Sequence, residues 1–135
     1  MRPSARVKAA IDVMDDIVKR HRPASAALAD WGKSNRYAGS GDRSAIGTLV
    51  FDALRKRASA AHAAGSDKPR GLVLGALLRA GGLGVDQIAA LCDGGQHAPQ
   101  PLSDQERQAL ATAHERSMSD AERADVPSFA LDQFR

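Results

Sequence analysis

Apolar positions recur every three to four residues along most of the chain, and Gly, Pro and polar clusters interrupt the runs that carry this period. Val7, Ala10, Ile11, Met14, Ile17 and Val18 fall on one face of a helix, which predicts a first helix over about residues 4–20. Pro3 sits at its start, where a missing N–H costs nothing. A second helix begins near Pro23, with Ala24, Ala27, Leu28 and Trp31 on one side, and ends at Gly32 and the polar Lys33–Asn35.

The stretch Asn35–Arg57 carries the clearest signal. Ala38-Gly39-Ser40-Gly41 reads as a turn, and Ser40 or Asp42 can cap the helix that follows. In that third helix Ile46, Leu49, Val50, Ala53 and Leu54 form one apolar stripe. Arg55 lies opposite the stripe, while Arg43 and Arg57 flank its ends, where their stems can cover the core rim. The run Arg55-Lys56-Arg57 falls at the helix C-terminus, where cations complement the dipole.

Residues 65–69 form a connection, and Pro69 opens a fourth helix. Leu72, Val73, Leu74, Ala76, Leu77 and Leu78 make it apolar nearly all round, the mark of a central buried element. Gly81-Gly82 stops it. Val85, Ile88, Ala89 and Cys92 predict a short fifth helix, followed by a loop containing Pro99 and Pro101. Ser103 and Glu106 form a capping box for a sixth helix to about Glu115, and Ser119 with Glu122 repeats the box. Val126-Pro127 breaks the pattern before the apolar Phe129, Leu131 and Phe134. The expected fold class is all-α, a bundle of about five to seven helices.

Composition narrows this picture. The 135 residues suffice for one domain with its own core. Aromatic residues are only 4% and β-branched residues are few, which disfavours strands. A single cysteine, Cys92, precludes an intrachain disulfide and suits a reducing, cytoplasmic setting. Asp12, Asp15 and Asp16 interrupt what would be the apolar core of a signal peptide, and no run approaches the length of a membrane span. The charge is uneven. Residues 1–79 hold 15 Lys and Arg against 7 Asp and Glu, whereas residues 80–135 hold 4 against 9. A basic front half either meets a polyanion or forms a solvated surface.

No catalytic constellation is expected. His21, His62, His97 and His114 lack zinc-ligand spacing, and no metal is expected. Cys92 reads as a small core residue rather than a nucleophile. Gly81-Gly82-Leu83-Gly84 follows a helix rather than a strand, so it does not read as a phosphate-binding loop.

The run "RYAGSGDRSAIGTLVFDALRKR" resembles the NusB-like N-terminal domain of the RsmB/Sun-type ribosomal RNA cytosine-C5 methyltransferases, in their α-proteobacterial form. The segments "RVKAAIDVMDDI", "KPRGLVLGALLRAGG" and "LCDGGQHAPQPLSDQERQAL" extend the likeness over nearly the whole chain. The resemblance implies a NusB-like helical bundle over residues 1–125. Residues 126–135 would start a linker toward a Rossmann-like catalytic domain that uses S-adenosylmethionine. It further implies ribosomal RNA as partner, together with that methyltransferase domain. The family's catalytic cysteine stands after proline, whereas Cys92 follows Leu91, and Phe129 stands where tryptophan is usual. The chain therefore reads as the equivalent of the RNA-docking domain, without catalytic residues or cofactor of its own.

The RNA-binding candidates are Arg6, Arg36, Arg43, Arg55, Lys56 and Arg57, with Arg2 and Lys8 in support. Their role is to meet phosphates, which dominate recognition of structured RNA. Tyr37 either stacks on an unpaired base or closes the end of the third helix's core. Arg43 also reads as a helix-start residue paired with Asp42 or a carbonyl. Two alternatives stay open. One is a free-standing NusB-type antitermination factor, although the first helix lacks the dense arginine run of such factors. The other is a helical protein-interaction module that uses the acidic back half or the apolar tail.

Overall fold

The computed structural model describes residues 1–115. Expectations for Ser119–Glu122, for Val126-Pro127 and for the Phe129–Phe134 tail lie outside the described residues. Among the described residues there are seven α-helices and one 3₁₀ turn, and no strand. The helices are α1 (Pro3–Arg20), α2 (Ala24–Ser34), α3 (Ser40–Arg55), α4 (Arg57–Ala64), α5 (Pro69–Arg79), α6 (Val85–Leu91) and α7 (Asp104–Ala111). The 3₁₀ turn is Ala113–Glu115. The all-α expectation holds. No described helix is long and apolar enough to cross a membrane.

The local signals explain most boundaries. Pro3 and Pro69 occupy first helical turns, and Ser103 Oγ accepts the Glu106 N–H at 3.1 Å while Glu106 accepts the Ser103 N–H at 2.9 Å. Gly39 is the N-cap of α3, and Ser40 is its first helical residue. Asp42 completes that helix start from the third position by accepting the Gly39 N–H at 3.1 Å.

Helix α5 is the axis of the bundle. Every residue from Gly71 to Leu78 is buried, and α1, α3, α4 and α6 pack around it. Leu72 and Leu74 meet Val13, Met14, Ile46, Val50 and Ile88 in one continuous core. Burying side chains of this size contributes about 1.5–3 kcal/mol each, which explains why an all-round apolar helix takes the centre.

The closest crossing joins α4 and α5. A Cβ on Gly75 would lie 1.9 Å from the Ala60 carbonyl oxygen and 2.7 Å from its Cα. Only glycine permits this approach. The alanine-rich α4 supplies the matching smooth surface. Helix α4 itself corrects the sequence reading, which ended the third helix at Arg55-Lys56-Arg57 and assigned nothing to residues 58–64. The chain bends at Lys56 (φ −121°, ψ 48°) and re-enters a helix. No Gly or Pro marks that bend. The direction of α4 is set by its contact with α5, so Arg57 opens a helix rather than closing one.

Arg70 ties the last elements to this core. Its guanidinium grips Glu106 at 2.8 and 3.1 Å and also donates to the carbonyls of Gln100 and Pro101. Burial alone would push the Glu106 carboxyl up. The Arg70 guanidinium and the Ser103 N–H outweigh it and hold the carboxyl below its ordinary range.

Candidate nucleic-acid interface

Most cations of the basic front half are already matched to carboxylates. Arg6 donates to Asp42 at 2.8–2.9 Å, Lys8 to Asp12 at 2.6 Å, and Arg2 reaches Asp93 at 3.4 Å. Arg22 bridges Asp16 and Asp30. Arg55 pairs with Asp52 at 3.0 Å one helical turn back. The Arg6 guanidinium, and then the Gly39 N–H, hold the Asp42 carboxyl below its ordinary value. Asp42 therefore stays charged and keeps Arg6 engaged. Such exposed pairs add little stability, but they reduce the charge offered to a polyanion.

Arg36, Arg43, Lys56, Arg57 and Lys68 have no carboxylate partner among the described residues, whereas Lys33 lies in the field of Asp30. Arg36 and Arg43 lie where α2 hands over to α3, with Lys33 nearby in the chain. Lys33 lies in the last turn of α2, and Arg36 lies in the turn that follows. The Arg43 stem crosses α2 at Gly32, with its Cδ 3.4 Å from where a glycine Cβ would stand. Arg43 thus pairs neither with Asp42, which Arg6 occupies, nor with a carbonyl among the described residues. Its placement beside the carbonyl end of α2 also suits that helix's dipole.

Tyr37 follows Arg36 in this turn, with 70% of its surface exposed. It does not close the core of α3. Ala38, next to it, is the buried residue of the turn. The Tyr37 hydroxyl donates to Asn35 Oδ1 at 3.2 Å, and Asn35 Nδ2 donates to the Trp31 carbonyl at 2.8 Å. The ring is held at its tip while its faces remain open.

Lys56 and Arg57 form a second cationic group at the far end of α3. Thirteen residues at 1.5 Å each place Lys56 about 20 Å from Arg43 along the helix. Between them runs an exposed strip in which Phe51 is 51% exposed, with Gly47, Leu54 and Arg55 around it. Leu54 packs against the core as the inner stripe predicts, while the sequence reading passed over Phe51.

A groove of about 780 Å³ opens beside Tyr37 between α1, the end of α2 and the loop after α6. Trp31, Gln96 and His97 line it with Tyr37. The sequence reading missed this grouping, because Gln96 and His97 lie some sixty residues from Tyr37 and nothing local joins them. Cys92, by contrast, is buried as expected. Burial pushes its thiol up, with the nearby Arg70 cation opposing in part. Among the described residues no cluster of three or more His, Cys, Asp or Glu could hold a metal ion. Compared with protein families, with curated proteins and with solved structures, the chain matches none.

Proposed function

We propose that this protein is an RNA-docking domain of the kind that precedes the catalytic domain in ribosomal RNA cytosine-C5 methyltransferases. The observation that carries the reading is that Arg36 and Arg43, which have no carboxylate partner among the described residues, flank the exposed Tyr37 in the turn from α2 into α3. Unpaired cations release counterions from phosphate without first breaking a protein ion pair, and an open aromatic face accepts a base. Arg55, Lys56 and Arg57 then form a second contact point, in which Arg55 has to leave Asp52 to take part.

On this reading S-adenosylmethionine is bound outside the described residues. The glycine-rich segment 81–84 joins α5 to α6, with no strand leading into it, so the backbone cradle for such a cofactor is not built there. Methyl transfer on this reading belongs to a separate catalytic domain, and the role of this chain is to hold the RNA.

The test is binding to a fluorescent small-subunit ribosomal RNA hairpin at several salt concentrations, with duplex DNA as control. Micromolar or tighter binding with a preference for RNA is expected. Replacing Lys33, Arg36 and Arg43 together by alanine should flatten the log-log salt slope by about two units. No binding at low salt would overturn the reading. The exposed Phe51 favours a second reading, a helical protein-interaction module whose contact is the outer face of α3. That reading predicts no RNA preference.

A further inference from the structure

The groove beside Tyr37 is built from three separate segments, and its lining is not that of a simple apolar crevice. Trp31 and Tyr37 bring two flat rings to it, His97 adds an imidazole, and Gln96 adds an amide with both a donor and an acceptor. Arg2 and Lys8 stand on its α1 side. Its volume of about 780 Å³ falls in the range of small-ligand sites, roughly 300–1,000 Å³.

The backbone at His97 is the second observation. The Ala98 N–H bonds to the Gly95 carbonyl at 3.1 Å, which makes residues 95–98 a tight turn with His97 in its third position. His97 has φ +62°, a conformation for which such turns use glycine or asparagine. The other such non-glycine residue among the described residues, His21, ends α1 in the ordinary way for a helix terminus. His97 ends no helix, and flanking bonds hold its loop. The Asp93 carboxylate accepts the Gly95 N–H, the Gly94 N–H bonds to the Pro99 carbonyl, and Ala98 and Pro99 are buried. A rigid loop thus carries a side chain, at a position that favours none, to the wall of a groove lined by aromatic rings. Backbone strain of this type gathers at ligand-holding residues.

Resting on the RNA-docking reading above, we infer that this groove holds one unpaired nucleobase of an RNA strand. The base stacks on Tyr37, and His97 and Gln96 meet its edge. Arg36, the chain neighbour of Tyr37, meets a flanking phosphate. Recognition of unpaired bases by stacking and edge contacts is the general route to sequence preference in RNA.

The test uses the full chain and two labelled five-residue RNA strands. One carries a single central adenine on an otherwise abasic backbone, and the other is wholly abasic. The expected result is roughly tenfold tighter binding of the adenine strand. Tyr37→Ala should abolish that preference. His97→Gly should reduce it to threefold or less while melting at the same temperature as the parent or higher, because glycine suits the turn. Equal binding of the two strands, or a full preference retained in His97→Gly, overturns the base pocket and leaves RNA docking standing. Failure of both strands and of the ribosomal hairpin to bind at low salt overturns both.

Discussion

The crossing of α4 over α5 gives a prediction whose sign is opposite to the usual rule. Replacing an internal helical glycine by alanine normally stabilises a helix by about 1 kcal/mol. At Gly75 the added Cβ would stand 1.9 Å from the Ala60 carbonyl oxygen. An ordinary contact is about 3.5–4.0 Å, so α4 has to retreat by roughly 1.5 Å. Overpacking costs about 1–3 kcal/mol when side chains can yield, and here the obstacle is backbone. Taking about 3–4 kcal/mol for an unyielding backbone obstacle and subtracting the helical gain, Gly75→Ala should lose about 2–3 kcal/mol. At roughly 3–4 °C per kcal/mol for a chain of this size, the melting temperature should fall by about 6–12 °C. Gly47→Ala is the control. It lies on the outer face of α3 with nothing within 4 Å of its Cβ position, so it should gain about 0.5–1 kcal/mol. Circular dichroism melts and urea titrations of both variants measure the difference. If Gly75→Ala is as stable as the parent, the α4–α5 crossing is not the close packing described.

Three further outcomes are expected. Glu106 has a lowered carboxyl pKa in the folded state, so its share of stability is complete above its unfolded value and is lost as pH falls through the lowered one. Glu106→Gln should therefore be less stable at neutral pH and show a flatter decline below about pH 4.5; an unchanged acid-unfolding curve would count against the Arg70 clamp. Cys92, 2% exposed with its thiol pushed up, should react with a thiol reagent only at the rate of unfolding in native buffer, and immediate stoichiometric labelling would contradict its burial. Leu74→Ala at the centre of α5 should cost about 2–5 kcal/mol in urea denaturation, whereas Phe51→Ser on the exposed strip should cost under about 1 kcal/mol.

The helical periodicity, the prolines at Pro3 and Pro69 and the Ser103–Glu106 box made the all-α class and most helix positions legible in the sequence. So did the all-round apolar character of Leu72–Leu78, because a helix with no polar face has only the centre to occupy. These signals are local, arising from hydrogen bonding and side-chain spacing within a few residues. The bend at Lys56 was not legible. Its neighbours Arg55, Arg57 and Ala58 are all competent helix formers, and the turn exists because α4 has to lie on Gly75. The charge count was equally blind to pairing. It showed a basic front half, but only the fold placed Asp42 against Arg6 across 36 residues and so separated engaged cations from those without a carboxylate partner among the described residues. The same is true of the groove, where His97 meets Tyr37 through three segments that no periodicity connects. Local chemistry determined which helices form. Long-range packing decided where they bend and which charges stay unpaired, because both depend on approach distances that one segment cannot set alone.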